Sequence, residues 1–357
     1  MSHRCIENPL AGGAERTIYE IGRRLVKEGH EVDLLTGSWP GAARHKVIEG
    51  IRVHRYGYRF LPHVVLPLYL KRHNDADLIV DDMAHAAPWL SPWITQTPGI
   101  AHFAHLHRRT ISHEVGHLLA STLTRLERMY PLFYRAWPFV TYSQSSKSDL
   151  VKLGISDDKI TVINPGVDTE TFRPSQKSPE PELVYFAGMK RYKRPDHALY
   201  AFSKLIETEK KAHLTMIGSG SVVPDLVILA KKLELNGNVS FVEKLDHAQL
   251  SQLLAKAWVN IHCSTSEGWG MTITEAASSG VPTAAYRVPG VEDSVVDGRT
   301  GLMVTEQDPV ALSQAISFLV LENKRFSSEC RSSSEARNWN ETAKKWLSMF
   351  MQVSKTT

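Results

Sequence analysis

Apolar segments of two lengths alternate along the chain. Short apolar runs of strand length are followed by longer segments whose apolar residues recur at helical spacing. The first helix is predicted over 14–28, where Ile18, Ile21 and Leu25 share one face and Gly29 ends the pattern. Because strands that alternate with amphipathic helices are typical of βαβ units, the pattern predicts parallel sheets.

The alternation occurs twice, which predicts two α/β domains. In the first half the predicted strands are 31–36, 78–80, 100–103, 139–143 and 160–163. In the second half they are 183–187, 213–217, 239–241, 259–263, 282–286 and 301–304. The predicted helices of the second half are 196–209, 223–235, 248–255, 272–279 and 309–321. The stretch 173–181 is rich in proline, serine and charge, and it is predicted to be the interdomain linker.

The length of the chain fits two domains. At 357 residues it exceeds the size of about 250–300 residues at which a single hydrophobic core stops growing. The amino terminus departs from the pattern, because a Rossmann domain begins with a buried strand that leads into its glycine-rich loop. Here only the polar segment 1–9 precedes Gly12 and Gly13. We therefore expect a shortened start of the chain, with a stub of the first strand as the alternative.

Composition and cysteine content are ordinary for a soluble globular enzyme. Apolar residues make up 42% of the chain and charged residues 22%. The three cysteines are Cys5, Cys263 and Cys330, and they show no metal-type spacing. We therefore expect the protein to be located in a reducing compartment, the cytoplasm. No apolar run reaches about 18 residues and no signal peptide opens the chain, so we expect no transmembrane helix.

Positive charge is concentrated in two regions. The first carries Arg44, Lys46, Arg52, Arg55, Arg59, Lys71 and Arg72 against Glu49 alone. The second carries Arg108, Arg109, Arg125, Arg128 and Arg135 against Glu114 and Glu127. Two interpretations fit: a solvated basic face, or a surface that faces an anionic acceptor or anionic lipid headgroups. Near such headgroups a basic residue gains about 1 kcal/mol.

The segment 266–276 carries the most informative chemistry. It follows the predicted strand 259–263 and opens a helix, where backbone amides bind phosphate. Gly268 and Gly270 let a ligand approach the backbone closely. Glu267 and Glu275 can accept hydrogen bonds from sugar hydroxyls at two separate points. A nucleotide diphosphate sugar needs all of these features, whereas a capped helix with an incidental glutamate is the structural alternative.

These residues resemble a known family. The spacing of Glu267 and Glu275, with Gly268-Trp269-Gly270 between them, is similar to the signature of retaining glycosyltransferase family 4, the glycosyl transferases group 1. Weaker similarities extend over almost the whole chain. They are found at 12–15, 29–32, 164–168, 172–174, 218–220 and 297–302.

The resemblance implies a fold and a reaction. The fold is α/β of the GT-B type, with two Rossmann-like domains that face each other across a cleft. We expect an acceptor-binding domain over 1–172, a donor-binding domain over 181–336, and a C-terminal helix within 337–357 that returns to the first domain. The activity implied is that of a hexosyltransferase of cell-envelope glycan biosynthesis, which retains the anomeric configuration. Its donor would be a UDP- or GDP-sugar and its acceptor a glycan or a lipid-linked hydroxyl.

The resemblance also assigns roles in the donor domain. Glu267 would hold the transferred sugar, Glu275 the ribose, and the amides around Gly270 the diphosphate. The neighbours of these residues in the donor site would be Gly218, Gly268, Trp269 and Met271.

A basic cluster at 190–195 follows the predicted strand 183–187. It therefore lies at the carboxyl end of the sheet, where open α/β folds bind ligands. Cations there would neutralise the charge that develops on a leaving diphosphate, although such runs are usually solvated. The resemblance supports Lys193 as the phosphate lysine. The usual arginine of the family falls on Gly188 or Met189, so either Lys190 or Arg191 would supply the second cation.

In the first domain the resemblance points to a histidine near the transferred sugar. His105 is the best match and His107 the second, both just after the predicted strand 100–103. Gly12 and Gly13 would approach the donor phosphates and the acceptor. The acidic pair at 81–82 ends another strand and could contact the acceptor or bind a metal. The resemblance argues against an essential metal or other cofactor, because the helix dipole and the lysine stabilise the diphosphate.

Two alternatives belong to other classes of protein. The segment 113–117, HEVGH, fits the pattern of zinc proteases, in which a helix presents two imidazoles and a catalytic glutamate. Such a pattern arises by chance in a histidine-rich segment, and Glu127 is only one candidate for a third ligand. A nucleotide-sugar epimerase or binding protein of the same fold is the other alternative, since fold alone does not set function. We expect a cytoplasmic enzyme, associated with the membrane face or free, and no nucleic-acid partner.

Overall fold

The computed structural model describes residues 1–83, 87–109, 111 and 116–355, without the side chain of Arg109. The chain divides into two compact units. The first comprises Met1–Gly166 with Trp339–Thr357, and the second comprises Val167–Asn338. The stretch 173–181, which the sequence offered as the linker, belongs to the second unit. It is fixed there by hydrogen bonds such as that from Ser178 N to the carbonyl oxygen of Lys256, at 3.0 Å.

The strands of the first unit form two sheets. They are β1 Asp33–Thr36, β2 His45–Ile48, β3 Ile51–Arg55, β4 Ile79–Asp82, β5 Gly99–Phe103, β6 Phe139–Thr141 and β7 Ile160–Val162. One sheet has the order β1-β3-β2, in which β2 runs antiparallel to β3, and the other has the parallel order β4-β5-β6-β7. Met1 and Ser2 lie between the two sheets. Ser2 N donates to Leu35 O at 3.0 Å, and Asp82 N donates to Met1 O at 2.9 Å.

Helices cover both sheets of the first unit. They are α1 Gly13–Lys27, α2 Pro62–Arg72, α3 Ser91–Ile94, α4 His117–Arg128, α5 Tyr130–Phe133 and α6 Gln144–Leu153. The C-terminal helix of the chain, α14 Trp339–Lys355, belongs to this unit and packs against α1. Its residues Trp346 and Met349 share an apolar cluster with Ile21 of α1 and Ile100 of β5. No helix in the described ranges is long and apolar enough to cross a membrane.

The second unit contains one parallel sheet. Its strands are β8 Glu182–Phe186, β9 His213–Ile217, β10 Val239–Val242, β11 Val259–His262, β12 Thr283–Tyr286 and β13 Gly301–Val304. Its helices are α7 Pro195–Leu205, α8 Val223–Lys232, α9 His247–Lys256, α10 Met271–Ser278, α11 Val291–Ser294, α12 Pro309–Leu321 and α13 Asn323–Glu335. The strand order is β10-β9-β8-β11-β12-β13. The parallel α/β architecture predicted from the sequence is therefore confirmed.

The order of these strands indicates a candidate ligand site. The chain moves outward from β8 through β9 to β10, then crosses to β11 on the other side of β8 and continues to β13. Such a reversal is a topological switch point, and open α/β sheets bind ligands in the crevice outside the carboxyl ends of the two strands that flank it. In this unit those strands are β8 and β11, and the loops that follow them are 187–194 and 263–270.

Candidate active site

The loops after β8 and β11 lie side by side. The amide N and the hydroxyl Oγ1 of Thr265 both donate to the carbonyl oxygen of Tyr192, at 2.9 and 3.2 Å. The hydroxyl of Tyr185, in β8, donates to the carbonyl oxygen of Lys193 at 3.0 Å. These bonds fix the backbone of the basic loop against the strand and against the loop that carries Glu267.

The predicted phosphate lysine and the predicted sugar carboxylate are in contact. Lys193 Nζ forms an ion pair with Glu267 Oε1, and the two side chains are only 15% and 13% exposed. His262, the last residue of β11, contacts the same Oε1 through Nε2 at 3.1 Å. Within the described part of the chain, both of these side-chain contacts end on the same carboxylate oxygen, Oε1.

The charge of Glu267 is set by its neighbours. Burial by itself would raise the pKa of this carboxyl, but the Lys193 cation and the His262 imidazole hold the pKa of Glu267 well below its usual range. Glu267 is therefore ionised throughout the ordinary pH range. A carboxylate in this state is a strong hydrogen-bond acceptor for hydroxyl groups.

His262 is a site residue that the sequence analysis missed. A histidine at the last position of a buried strand, immediately before the loop with the candidate glutamate, is the signal that could have found it. Histidine is rarely chosen for packing alone at a fully buried strand position, because its ring nitrogens need partners there.

The glycine-rich segment after Glu267 leads directly into α10. Gly270 caps this helix with a left-handed φ of 89°, and a Cβ at this position would lie 2.8 Å from Ile273 Cδ1. The indole of Trp269 is buried, with the guanidinium of Arg337 5.5 Å from the ring centroid. Glu275 lies in the second turn of α10 and is half-buried. The helix N-terminus thus lies next to Glu267, with Met271 as its first residue.

Other glycines hold these loops in place. A Cβ at Gly218 would collide with the carbonyl of Ala187, and a Cβ at Gly220 with the carbonyl of Met189. A Cβ at Gly290 would collide with the carbonyl of Glu267 itself. The space that these residues leave is filled by the backbone of the two site loops. For Gly218, a candidate ligand-binding residue, the structure therefore shows a packing contact.

The two candidates for a second cation lie on the same loop as Lys193. Lys190 and Arg191 are both exposed, and Arg191–Lys193 forms one turn of 3-10 helix. Lys190 Nζ and Lys193 Nζ lie 5.7 and 5.2 Å from the ring centroid of Tyr192. Both lysine cations are therefore within cation–π distance of the Tyr192 ring.

In the first unit, Gly12 and Gly13 lie at the N-terminus of α1. The Glu15 carboxylate accepts a hydrogen bond from Gly12 N at 2.8 Å, and burial raises the pKa of Glu15. A Cβ at Gly12 would meet only Glu15 Oε2, at 3.7 Å, which is an ordinary contact. Unlike Gly218, Gly12 has room beside it.

The histidines of the first unit fall into two groups. His105 follows β5, and its ring centroid is 4.9 Å from that of His107. The buried carboxylate of Glu127 accepts a hydrogen bond from His107 N at 2.6 Å. His102 lies within β5, is buried, and contacts Asp82 Oδ1 through Nδ1 at 3.0 Å.

The acidic pair at the end of β4 is buried and already bonded. Asp82 accepts a hydrogen bond from Ser2 Oγ at 2.9 Å, and Asp81 accepts from Ser91 Oγ at 2.8 Å and from the Tyr134 hydroxyl at 2.9 Å. The structure therefore gives Asp81 and Asp82 partners inside the first unit, where the sequence had suggested an acceptor or a metal.

The structure describes only part of the protease pattern. His113 and Glu114 lie outside the described residues, and His117 begins α4. Glu127, the candidate third ligand, is engaged with the backbone of the loop that contains His107. Among the residues that the structure describes, no group of three or more His, Cys, Asp or Glu side chains could hold a metal ion.

Two family models of glycosyltransferases together match residues 11–346 of the chain. The family model described as glycosyl transferases group 1 matches residues 167–346, and that of glycosyltransferase family 4 matches 11–171. A D-inositol 3-phosphate glycosyltransferase of Catenulispora acidiphila is 28% identical over 87% of this chain and 82% of its own length. Glycogen synthase of Mycobacterium tuberculosis is 24% identical over 86% of this chain and 82% of its own.

Solved structures share the fold. Sucrose-phosphate synthase from Thermosynechococcus elongatus superimposes with a TM-score of 0.82 at 20% identity, over 100% of this chain and 99% of its own. Anabaena HepE, solved in complex with UDP-glucose, gives a TM-score of 0.76 at 17% identity over 98% of both chains. With the two Rossmann-like units, these similarities establish the GT-B fold. The chain belongs to the glycosyl transferases group 1 family and is a glycosyltransferase.

Proposed function

We propose that the second unit binds a nucleotide diphosphate sugar at the carboxyl ends of β8 and β11. The observation that carries this proposal is the contact between Lys193 and Glu267. A cation suited to a diphosphate and an ionised carboxylate suited to sugar hydroxyls lie side by side at the switch point of the sheet. The bond between sugar and diphosphate, which is the bond that a glycosyltransferase breaks, would lie where these two groups meet.

The remaining contacts of the donor follow from the same geometry. The diphosphate would bind Lys193, a second cation from Lys190 or Arg191, and the amides at the N-terminus of α10. The ribose would bind Glu275, one turn into the helix. For the nucleotide we propose a UDP- or GDP-sugar. HepE was solved with UDP-glucose, which makes this donor the first to test.

The reaction that we propose retains the anomeric configuration. The bond between the sugar C1 and the diphosphate oxygen breaks as a bond from C1 to the acceptor hydroxyl oxygen forms on the same face. The acceptor proton passes to the departing phosphate oxygen, and the sugar passes through an oxocarbenium-like state without a protein nucleophile. Lys193 and the amides of α10 would stabilise the charge that develops on the diphosphate.

On the acceptor side we propose the first unit, with His105 and the Gly12–Gly13 loop nearest to the reacting hydroxyl. The open space beside Gly12 supports a close approach of ligand to backbone there. The acceptor would be a glycan or a lipid-linked hydroxyl. We further propose that no metal is required, since Lys193 and the helix N-terminus provide the positive charge that a metal would otherwise supply.

A thermal-shift screen tests the donor site. The purified chain is heated with UDP, GDP and ADP, with their common sugars, and with zinc alone. We expect one nucleotide family to stabilise the fold, because a ligand that binds only the folded state at about 100 times its Kd adds about 2.7 kcal/mol. A shift with zinc and none with any nucleotide would favour the protease pattern and overturn the proposal.

A second assay separates transfer from binding or epimerisation. The chain is incubated with the donor that the screen identifies, with and without candidate glycan acceptors, and free nucleotide diphosphate is measured. A transferase releases the diphosphate in proportion to acceptor. Interconversion of the donor sugar without release would instead assign the fold to an epimerase.

A further inference from the structure

One helix of the first unit exposes apolar side chains on its outer side. Leu66 and Leu70 of α2 are buried in the core of the unit. Phe60, Leu61, Val64 and Leu68 are 52 to 69% exposed. We call this exposed set the α2 face.

The residues of the α2 face lie on one side of the helix. Leu61, Val64 and Leu68 are spaced three and four residues apart, which places them in a row along the helix. Since the opposite side is buried, α2 is apolar nearly all round its axis. A helix of this kind on the surface of a protein needs an apolar partner.

Positive charge without acidic partners borders the α2 face. Arg59 precedes the helix, and Lys71 and Arg72 form its last turn, one helical turn beyond Leu68. All three side chains are exposed, and none forms an ion pair within the described part of the chain. The acids nearest to Lys71 and Arg72 in sequence, Asp75 and Asp77, follow the helix rather than lying on it.

Three other cations of the same basic region form ion pairs. Arg52 pairs with Glu31 and Asp33, at 2.6 and 2.5 Å, and both Lys46 and Arg55 pair with Glu7. Arg44 has no acidic partner in the described residues either, but Arg59, Lys71 and Arg72 are the exposed cations that border the α2 face.

We propose that the α2 face lies on an anionic lipid bilayer. The apolar side chains would enter the boundary between headgroups and acyl chains, while Arg59, Lys71 and Arg72 contact lipid phosphates. Helices that lie in the membrane interface combine these two features, and each basic residue near an anionic surface adds to the affinity. The long stems of lysine and arginine let the charged ends reach the headgroups beside the apolar row.

The charges favour a bilayer over a second copy of the chain. In a two-fold dimer the same patch meets itself, so Arg59, Lys71 and Arg72 would be brought near their own counterparts. Like charges placed opposite one another disfavour such an interface. An anionic bilayer, in contrast, offers acyl chains to the apolar side chains and phosphates to the cations.

This inference deepens the proposed function and rests on it in one respect, the lipid-linked acceptor, which the bilayer would present. Binding to the bilayer itself is independent of catalysis. Co-sedimentation therefore measures vesicle binding, and a separate thermal shift with UDP, GDP and ADP on the same samples reports on the donor site.

Co-sedimentation with vesicles tests the proposal. The full chain is mixed with vesicles of phosphatidylcholine alone, or of phosphatidylcholine with phosphatidylglycerol, at low and at high salt. We expect binding to the anionic vesicles at low salt, weakened at high salt by screening, and little binding to neutral vesicles. K71A/R72A should weaken this binding about thirty-fold, and V64D/L68D should abolish it.

The second unit offers matched controls. K231A/K232A removes two exposed cations from the last turn of α8, and I228D/L321D introduces two acids at exposed apolar positions. Both controls should bind vesicles like the unmodified chain. If V64D/L68D unfolds, K71A/R72A still decides the test, because Lys71 and Arg72 are both exposed at the end of the helix.

Three outcomes would overturn the proposal. The first is that the unmodified chain stays in the supernatant with anionic vesicles. The second is that the α2 variants bind as well as the controls, which would place the contact elsewhere. The third is that V64D/L68D converts a dimer to a monomer in analytical ultracentrifugation while vesicle binding is absent, which would assign the face to a second copy. Vesicle binding without any nucleotide shift would sink the proposed donor site and leave this inference standing.

Discussion

The carboxyl edge of the second sheet and the glycine loop of the first unit differ in how far the protein itself completes them. At the second sheet, Lys193 and His262 both contact Glu267. The space beside Gly218 and Gly290 is occupied by neighbouring backbone. At the first unit, Gly12 has open space beside it. The proposed donor side is therefore held in place by protein contacts, whereas the proposed acceptor side has open space beside Gly12.

This difference has a physical reason. A diphosphate sugar is charged at one end and rich in hydroxyls at the other, so its site needs fixed charges whose geometry does not have to reorganise during the reaction. The ion pair between Lys193 and Glu267 and the hydrogen bonds from Thr265 to Tyr192 hold those charges in place through protein contacts. An acceptor hydroxyl needs only close access to the donor, and a glycine beside open space provides it.

The largest effect is expected from Lys193→Ala. Loss of a positioned cation that stabilises developing charge lowers turnover by about 100- to 1000-fold. The rate of nucleotide diphosphate release from UDP-glucose in the presence of acceptor measures it. Lys210→Ala, at an exposed position of the same unit, is the control. Full activity of Lys193→Ala would remove this residue from the site.

Glu275→Ala should weaken donor binding by about 10- to 100-fold, because a hydrogen bond to a charged group contributes about 1.5–3 kcal/mol. Isothermal titration with UDP measures the change, with the exposed Glu292→Ala as the matched control. If affinity for UDP is unchanged, Glu275 does not hold the ribose.

The glycines sharpen the comparison directly. Gly220→Ala should lower the free energy of unfolding by about 1–3 kcal/mol, because its Cβ would collide with the carbonyl of Met189. Gly12→Ala should change stability by less than about 1 kcal/mol and yet lower activity, since a methyl group would occupy space meant for ligand. Denaturant unfolding and the release assay measure the two effects. Equal losses of stability in both variants would contradict the comparison.

The smallest effect concerns pH. The folded-state pKa of Glu267 lies below its ordinary value of 4.5, so the stability that its ionised form contributes is present above pH 4.5 and is lost as the pH falls towards the folded-state pKa. The comparison is made in a His262→Gln background, which removes the imidazole that contacts Glu267. There the difference in unfolding free energy between the proteins with Glu267 and with Glu267→Gln should be constant from pH 8 to about pH 5 and change only below. A difference that already changes between pH 8 and pH 6 would show that Glu267 titrates there.

The sequence predicted the second unit better than the first. Its strands were placed within one residue at each end, because runs such as 183–186 are apolar enough to be buried on both faces of a parallel sheet. In the first unit β2, β3 and α2 were not predicted. Strand β2 is mostly exposed and therefore lacks an apolar signature, and the charges of β3 are balanced by acids distant in sequence, such as Glu7.

The candidate site was predicted in part for similar reasons. Glu267 and Lys193 stand in recognisable segments, and their contact follows from the strand order. His262 was missed because a single histidine in a strand has no spacing to mark it, and only the fold brings its ring to Glu267. The packing of Gly218 against Ala187 was equally hidden, since a short glycine motif looks the same whether ligand or backbone occupies the space beside it.

The central claim is that Glu267 holds the sugar and Lys193 the diphosphate of one donor. Isothermal titration of UDP-glucose and of UDP into Glu267→Gln and Lys193→Ala tests it most directly. We expect Glu267→Gln to weaken the binding of UDP-glucose but not that of UDP, and Lys193→Ala to weaken the binding of both ligands. If Glu267→Gln weakened the two ligands equally, the carboxylate would not contact the sugar, and the proposed donor geometry would be wrong.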